Sequence, residues 1–242
     1  MTLGIVRVGD TVRRPVKPSS EYASQLLIAL GRCGFTAAPR HLGFDEAGRE
    51  VLSYLPGWVP AKLQRFTDRQ VAEAGKLLRA YHDATRRTGL AGRHPVVCHH
   101  DAGPNNFVFD ACRPYALIDF DMAAPGDPLD DVGYMAWLWC VSSKASAPPV
   151  EIQAAQIRVL ADAYGLQGTE RADIVDAMLM RQSRNVVFWR DLLGDTSFEA
   201  ATSKEIVARI QWSLRERAYT ETHRATLIHG LLPSSRRFVR AA

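Results

Sequence analysis

The sequence has no long hydrophobic run. Its longest wholly apolar stretch, Tyr134 to Val141, is eight residues, far short of the roughly 20 that span a bilayer. The opening MTLGIVRVGD lacks the basic-then-apolar layout of a signal peptide. Cysteine is sparse. Cys33, Cys98, Cys112 and Cys140 form no C-x-x-C pair, so they are expected as reduced thiols in a cytoplasmic protein, not as a disulfide framework or a zinc site. Lysine is scarce too, with 5 Lys against 25 Arg. Basic runs stop at pairs: Arg13-Arg14, Arg86-Arg87 and Arg236-Arg237. Scattered among 26 acids, these do not make the clustered face of a nucleic-acid binder. The net charge of +4 still suits a protein that handles a small polyanion such as a nucleotide. Neither a membrane nor a nucleic acid is therefore expected as partner.

What is present is an ordinary globular composition: 242 residues, 47% hydrophobic and 23% charged, ample for a buried core. Ile5–Val8 and Thr11–Arg14 are β-prone runs joined by Gly9-Asp10, a hairpin signal. A helix follows, started by Ser19 or Ser20, with Leu26, Leu27 and Leu30 as its apolar stripe. A second hairpin is expected from residues 41–44 to 50–55, and Pro56-Gly57 breaks it. From residue 60 helices dominate. Thr67 and Gln70 form a capping box ahead of Val71, Ala74, Leu77, Leu78 and Tyr81. Segments 130–141, 150–164, 171–193 and 203–230 also read as helices. The expected organisation is a β-rich lobe over residues 1–57 and a helical lobe over 58–242.

The chemistry-bearing stretch is His99-His100-Asp101-Ala102-Gly103-Pro104-Asn105-Asn106, followed by Ile118-Asp119-Phe120-Asp121. Phe107–Phe109 and Ala116–Ile118 are apolar and β-prone, with a turn-rich segment between them. Paired antiparallel, they set the start of the first strand beside the end of the second. Asn106 and Asp119 then lie side by side, with Asp101 on the loop feeding the same edge. Two carboxylates and an amide oxygen suit a hard divalent cation with phosphate. One carboxylate remains to align a hydroxyl nucleophile. Asp121 reads equally as a further metal ligand or a solvated turn residue.

The spacing His-x-Asp followed by Asn five residues later is that of the kinase catalytic loop. With CHHDAGPNNFVF and ALIDFDMAAPGDPLDD, the chain resembles the aminoglycoside phosphotransferase and choline kinase group of small-molecule kinases. The resemblance implies an α+β, protein-kinase-like two-lobed fold: a small antiparallel β lobe, abbreviated at its N-terminus, and a larger, mainly helical lobe. It implies ATP (with GTP as alternative) and Mg²⁺ as cofactors, and a small-molecule hydroxyl as acceptor, either an aminoglycoside-like antibiotic, an amino-alcohol or a sugar. Carried over residue by residue, Asp101 is the catalytic base, and Asn106 and Asp119 hold the metal. His99 braces the loop and Asp131 steadies it. Leu78-Arg79-Ala80-Tyr81-His82 resembles the family's helix ending in His. Ser53 and Leu55, in Ser53-Tyr54-Leu55-Pro56-Gly57, match the hinge that meets the adenine.

The chain departs from the family pattern in three places. His100 stands where Gly is usual. The opening offers only Gly4 and Gly9 for a phosphate-covering loop. The ATP-pairing Lys is replaced by Arg13 or Arg14, either of which can grip phosphate through two donors, with Glu21 as candidate ion-pair partner. A kinase-like protein that binds without efficient catalysis is therefore the alternative reading. For the acceptor, Asp191, Asp195 and Glu199 near Trp189 are candidates, although an acid-bearing helix and loop is ordinarily a solvated face. Tyr134, Trp137 and Trp139 read most simply as core. Zinc binding by His82, His94 and His100 has no recognised spacing behind it.

Overall fold

The computed structural model describes residues 4–61, 63–193 and 201–232. The first elements are two hairpins. β1 (Val6–Val8) pairs with β2 (Thr11–Arg14) across Gly9-Asp10, and β3 (His41–Phe44) pairs with β4 (Glu50–Ser53) across residues 45–49. They merge into one antiparallel sheet of order β1-β2-β4-β3. The second strand of each hairpin is therefore central, and Arg14 lies directly opposite Glu50. Between the hairpins runs α1 (Ser20–Arg32), with Ala23, Leu26, Leu27 and Leu30 buried on one stripe. The expected helix and both hairpins are thus in place.

The chain leaves this sheet through Gly57. Its φ is +141°, and a Cβ there would stand 2.3 Å from the carbonyl oxygen of Phe109. Only glycine tolerates that approach, and it lets Trp58 exchange backbone hydrogen bonds with Phe109 at 3.1 and 2.8 Å.

Next comes α2 (Asp68–Thr85), opened by the Thr67–Gln70 capping box in both directions. A two-stranded ladder follows, in which β5 (Val96–Cys98) pairs with β8 (Ala124–Gly126). Between those strands lies the hairpin of β6 (Phe107–Asp110) and β7 (Arg113–Leu117). β8 lies in a segment that reads as a Gly/Pro-rich loop. Pro125 is tolerated because two-stranded pairing leaves each strand an open edge.

The remainder is helical: α3 (Pro128–Met135) running into a π-helical turn (Ala136–Cys140), then α4 (Val150–Tyr164), α5 (Glu170–Leu193), α6 (Ser203–Thr222) and α7 (Arg224–Leu231). The expected 203–230 helix is broken at His223. α3 packs on α5 at backbone distance, since a Cβ on Gly133 would come within 2.7 Å of the Ala177 carbonyl carbon. Tyr81, Phe107, Phe109, Trp137 and Leu160 are fully buried in the main core. Each large apolar side chain so buried contributes about 1.5–3 kcal/mol. No helix among the described residues is long and apolar enough to cross a membrane.

Candidate active site

The site is built on the β6–β7 hairpin. Phe107 faces Leu117 and Val108 faces Ala116, with a bulge beyond Val108 that sets Phe109 opposite Pro114. Ile118 N–H donates to the carbonyl of Asn106 at 3.0 Å, so the pairing continues one residue past the strands. Asn106 and Asp119 therefore sit at the open end of the hairpin. A 3₁₀ turn, Pro104–Asn106, leads into β6.

Asp101 joins them through the tight loop before that turn. Its Oδ2 accepts from Asn106 Nδ2 at 2.7 Å, and the same amide also reaches the Asp101 carbonyl at 2.7 Å. Its Oδ1 accepts from the Tyr134 hydroxyl at 2.6 Å. The carboxylate is thus fixed from two sides. Burial, then the charge of Asp101, pushes the Tyr134 phenol well above its ordinary value, so it donates throughout the physiological range. The Arg181 guanidinium lies 4.5 Å over the Tyr134 ring and donates to the carbonyl of His100.

The loop itself hangs on two buried groups. His99 Nε2–H donates to Ile118 C=O at 3.0 Å, leaving Nδ1 to accept from Asp101 N–H at 3.3 Å. Asp131, on α3 and fully buried, accepts from His99 N–H at 2.6 Å, His100 N–H at 2.7 Å and His82 Nε2–H at 3.0 Å. His82 Nδ1 in turn accepts from Tyr164 Oη at 2.7 Å. Burial acts to raise the Asp131 carboxyl, but the His82 hydrogen bond and the neighbouring histidines outweigh it and hold it at about 2. His82, Cys98 and Asp131 also bring ligand atoms within 4.8 Å of one another. Every one is already committed, Cys98 to the Asp127 carbonyl at 3.1 Å, so the trio is a hydrogen-bonded brace.

His100 adopts φ +58°, which explains the glycine usual at this position. Histidine is among the few residues enriched in that region. A Cβ on Gly126 would stand 3.3 Å from its Nε2, so the imidazole packs against β8.

Asp119 has the opposite surroundings to Asp101. It takes φ +65°, leaves its side chain 52% exposed, and has its nearest cation, Arg14 Nη1, at 3.9 Å. Partial burial, then the like charge of Asp121, pushes its carboxyl upward. A half-exposed carboxylate short of positive charge fits a divalent cation. So does Asn106, whose Nδ2 is spent on Asp101 while its Oδ1 accepts only from Asn105 Nδ2 at 3.0 Å.

Of the two arginines, Arg14 is at the site. Its Nε donates to Glu50 Oε2 at 2.6 Å and its Nη1 to Asp121 Oδ1 at 2.7 Å. These two acids outweigh the burial that alone would lower its pKa, and the net shift is upward. Arg13 points to the other face and meets Asp45 at 3.2 Å, as strand alternation requires. The expected Arg–Glu21 pair is not formed. Glu21 is exposed in the first turn of α1, and the cross-strand neighbour Glu50 takes its place. Asp121 is a junction carboxylate that also accepts from Lys17 Nζ at 2.6 Å. At the hinge, Ser53 is occupied, donating through N–H to Arg40 C=O at 2.9 Å and accepting Arg40 N–H on Oγ at 2.8 Å. Leu55 has no backbone hydrogen bond among the described residues.

Sequence reasoning missed Tyr134, Glu50, Lys17 and Arg181. Tyr134 lies three residues after Asp131 and so shares its helix face. Asp191 is exposed at the end of α5, and Asp195 and Glu199 lie outside the described residues.

Comparison with known proteins agrees with this architecture. The chain is 29% identical over 252 aligned residues to the trifolitoxin immunity protein of Rhizobium leguminosarum bv. trifolii, covering 92% of this chain and 93% of that one. Its fold is similar to a choline/ethanolamine kinase family protein from Mesorhizobium loti, with a TM-score of 0.59, 18% identity, and 93% and 89% of the two chains covered. It is also similar to aminoglycoside 2'-phosphotransferase-IIIa, solved as a GDP complex, with a TM-score of 0.62, 13% identity, and 90% and 91% covered. These likenesses confirm the protein-kinase-like two-lobed α+β fold. The family model of the phosphotransferase enzyme family matches residues 9–175. Because that match runs from the first turn of the small sheet through the whole Asp101 loop and into α5, the chain belongs to the phosphotransferase enzyme family.

Proposed function

We propose that this protein moves the γ-phosphate of ATP, or of GTP, to a hydroxyl group of a small molecule, with Mg²⁺. The observation that carries this reading is the Asp101 carboxylate, clamped between Tyr134 Oη and Asn106 Nδ2 at the hairpin end that also presents Asp119. Asp101 accepts the proton of the acceptor hydroxyl and aligns its oxygen for in-line attack. Asn106 and Asp119 would hold the metal, which when bound neutralises charge on the phosphates. Arg14 sets the charge balance around Asp119, and Leu55 offers open backbone groups to the adenine. His99 and Asp131 hold the loop that carries Asp101.

The nucleotide lobe is assigned to residues 1–57 and the acceptor lobe to 58–242. The partners are then a nucleotide and a small-molecule alcohol in the cytoplasm, where both nucleotide and Mg²⁺ are supplied. The named relative is an immunity protein, which supports a protective use of the reaction: phosphorylating the hydroxyl of a toxic compound would spoil its fit to its target.

The test is Asp101→Ala. Loss of a positioned base costs about 10²–10⁴ in rate, while Mg-nucleotide affinity should stay near wild type. Near-normal turnover by that variant would overturn the assignment. A wild-type protein whose melting temperature ignores nucleotide with and without Mg²⁺ would favour the non-catalytic alternative.

A further inference from the structure

Tyr134 touches two things at once. Its hydroxyl binds the Asp101 carboxylate, and the residue lines a cavity of about 390 Å³ between α3, α5 and α6. That volume suits a drug-sized ligand. The other principal walls are Trp137, Trp189, Trp212, Arg209 and Leu63. Trp137 and Trp212 are stacked, with centroids 4.8 Å apart and planes 16° apart. The Arg209 guanidinium lies 4.3 Å over the Trp189 ring. The π-helical turn matters here, because it re-aims the residues after α3, and such turns recur at functional sites.

The charge of this cavity is one-sided. No carboxylate among the described residues lines it. Asn185 commits its Nδ2 to Ser213 Oγ at 2.8 Å and keeps Oδ1 as a neutral acceptor. Its one charged group is the Arg209 guanidinium, and the indole N–H of the lining residue Trp137 is buried without a partner among the described residues. A neighbouring cavity of about 530 Å³ meets the first at Leu63 and Trp212. Its two carboxylates are already engaged. Glu216 accepts from Ser143 N–H and Oγ, and Asp68 from Gln156 Nε2.

An ammonium-rich acceptor needs carboxylates to compensate its desolvation. An unpaired buried donor and a stacked guanidinium ask for the reverse: a flat ring carrying oxygen acceptors. Resting on the phosphotransferase reading above, we infer that the acceptor is a planar, conjugated alcohol or phenol bearing a carbonyl or carboxylate, and not a polyamine. Its ring lies among Trp137, Trp189 and Trp212, and its carbonyl or carboxylate meets Arg209. Its hydroxyl oxygen bonds to the γ-phosphorus as the bond to the β,γ-bridging oxygen breaks. The nucleoside diphosphate leaves, and the hydroxyl proton passes to Asp101.

The test is equilibrium binding to the full chain without nucleotide, read by intrinsic tryptophan fluorescence. A hydroxymethyl naphthoate is the planar anionic probe and kanamycin the polycation. Saturable naphthoate binding is expected, weakened about tenfold or more by Trp212→Ala and by the exposed substitution Arg209→Gln, with no saturable response to kanamycin. Naphthoate that does not bind, kanamycin that binds more tightly, or variants that bind naphthoate like the wild type would each overturn the inference. Mg-ATP is then added. If naphthoate binds but neither it nor any other alcohol is phosphorylated, the phosphotransferase reading fails and the cavity's preference stands. If kanamycin is phosphorylated through Asp101, the function stands and the preference fails.

Discussion

Substituting Asp131 by Asn tests the brace beneath the Asp101 loop. The wild-type carboxylate serves three donors with two oxygens: His99 N–H and His82 Nε2–H on Oδ2, and His100 N–H on Oδ1. Asn has one acceptor and one NH₂ group. Its best placement keeps the oxygen on the pair at Oδ2, and its NH₂ then faces the His100 N–H. One buried donor loses its partner, at about 1–3 kcal/mol, and two charge-assisted bonds become neutral ones, at roughly 1 kcal/mol each. The sum is about 3–5 kcal/mol. For a chain of this length each kcal/mol shifts the melting temperature by about 2–4 °C, so Asp131→Asn should melt roughly 6–20 °C lower.

Calorimetry at neutral pH measures that shift, and an acid titration adds a second readout. The carboxyl is lowered from 3.8 to about 2 in the folded state. A lowered folded-state value means that the stabilisation is fully present above pH ~4 and disappears as pH falls through 2. It is worth roughly 2 kcal/mol. Wild type should therefore lose that increment between pH ~4 and ~2, whereas Asp131→Asn has already lost it and should show a flatter profile there. A variant melting within about 2 °C of wild type, or one with the same acid limb, would refute the reasoning.

Two further perturbations address the site directly. Asp119→Ala should abolish the Mg²⁺-dependent part of nucleotide affinity in calorimetric titration; unchanged affinity would take Asp119 out of the metal site. Tyr134 is a positioning residue, so Tyr134→Phe should lower kcat about 10–100-fold through loss of one charge-assisted bond while leaving the nucleotide KM in place. A change confined to KM would contradict that role.

The local elements were legible because their signals are local. Gly9-Asp10 marks one turn, Thr67 and Gln70 cap one helix, and the His-x-Asp…Asn spacing with the apolar runs behind it defines the β6–β7 hairpin. What could not be read is how the first two hairpins join. Nothing in the sequence says that their second strands pair. That pairing alone puts Glu50, 36 positions from Arg14, where Glu21 was expected. β8 escaped for the complementary reason: Pro125 and Gly126 are turn-formers, and only the distant partner β5 makes them a strand. Tyr134 was hidden by its own neighbourhood. It begins the longest apolar run in the chain, so pattern assigns it to the core, and its ring is indeed buried. Its hydroxyl has a partner 33 residues away, and that contact is tertiary.

The two acids of the hairpin end show why spacing identifies a site better than it assigns roles. Asp101 and Asp119 are the same chemical group, brought to one edge by one hairpin. Asp101 receives two short hydrogen bonds, from a phenol and an amide, and neither donor carries a full charge. It is oriented without being neutralised, which is what a group that must accept a proton requires. Asp119 receives no hydrogen bond among the described residues, has its nearest cation at 3.9 Å, and is pressed by a like charge. It is the more exposed of the two and its oxygens carry no hydrogen bond among the described residues, which leaves it open to an added cation. Environments that pull two carboxylates apart are the physical basis for dividing proton transfer from metal holding between them. That division rests on Tyr134 and Arg14, residues outside the motif that first drew attention to the site.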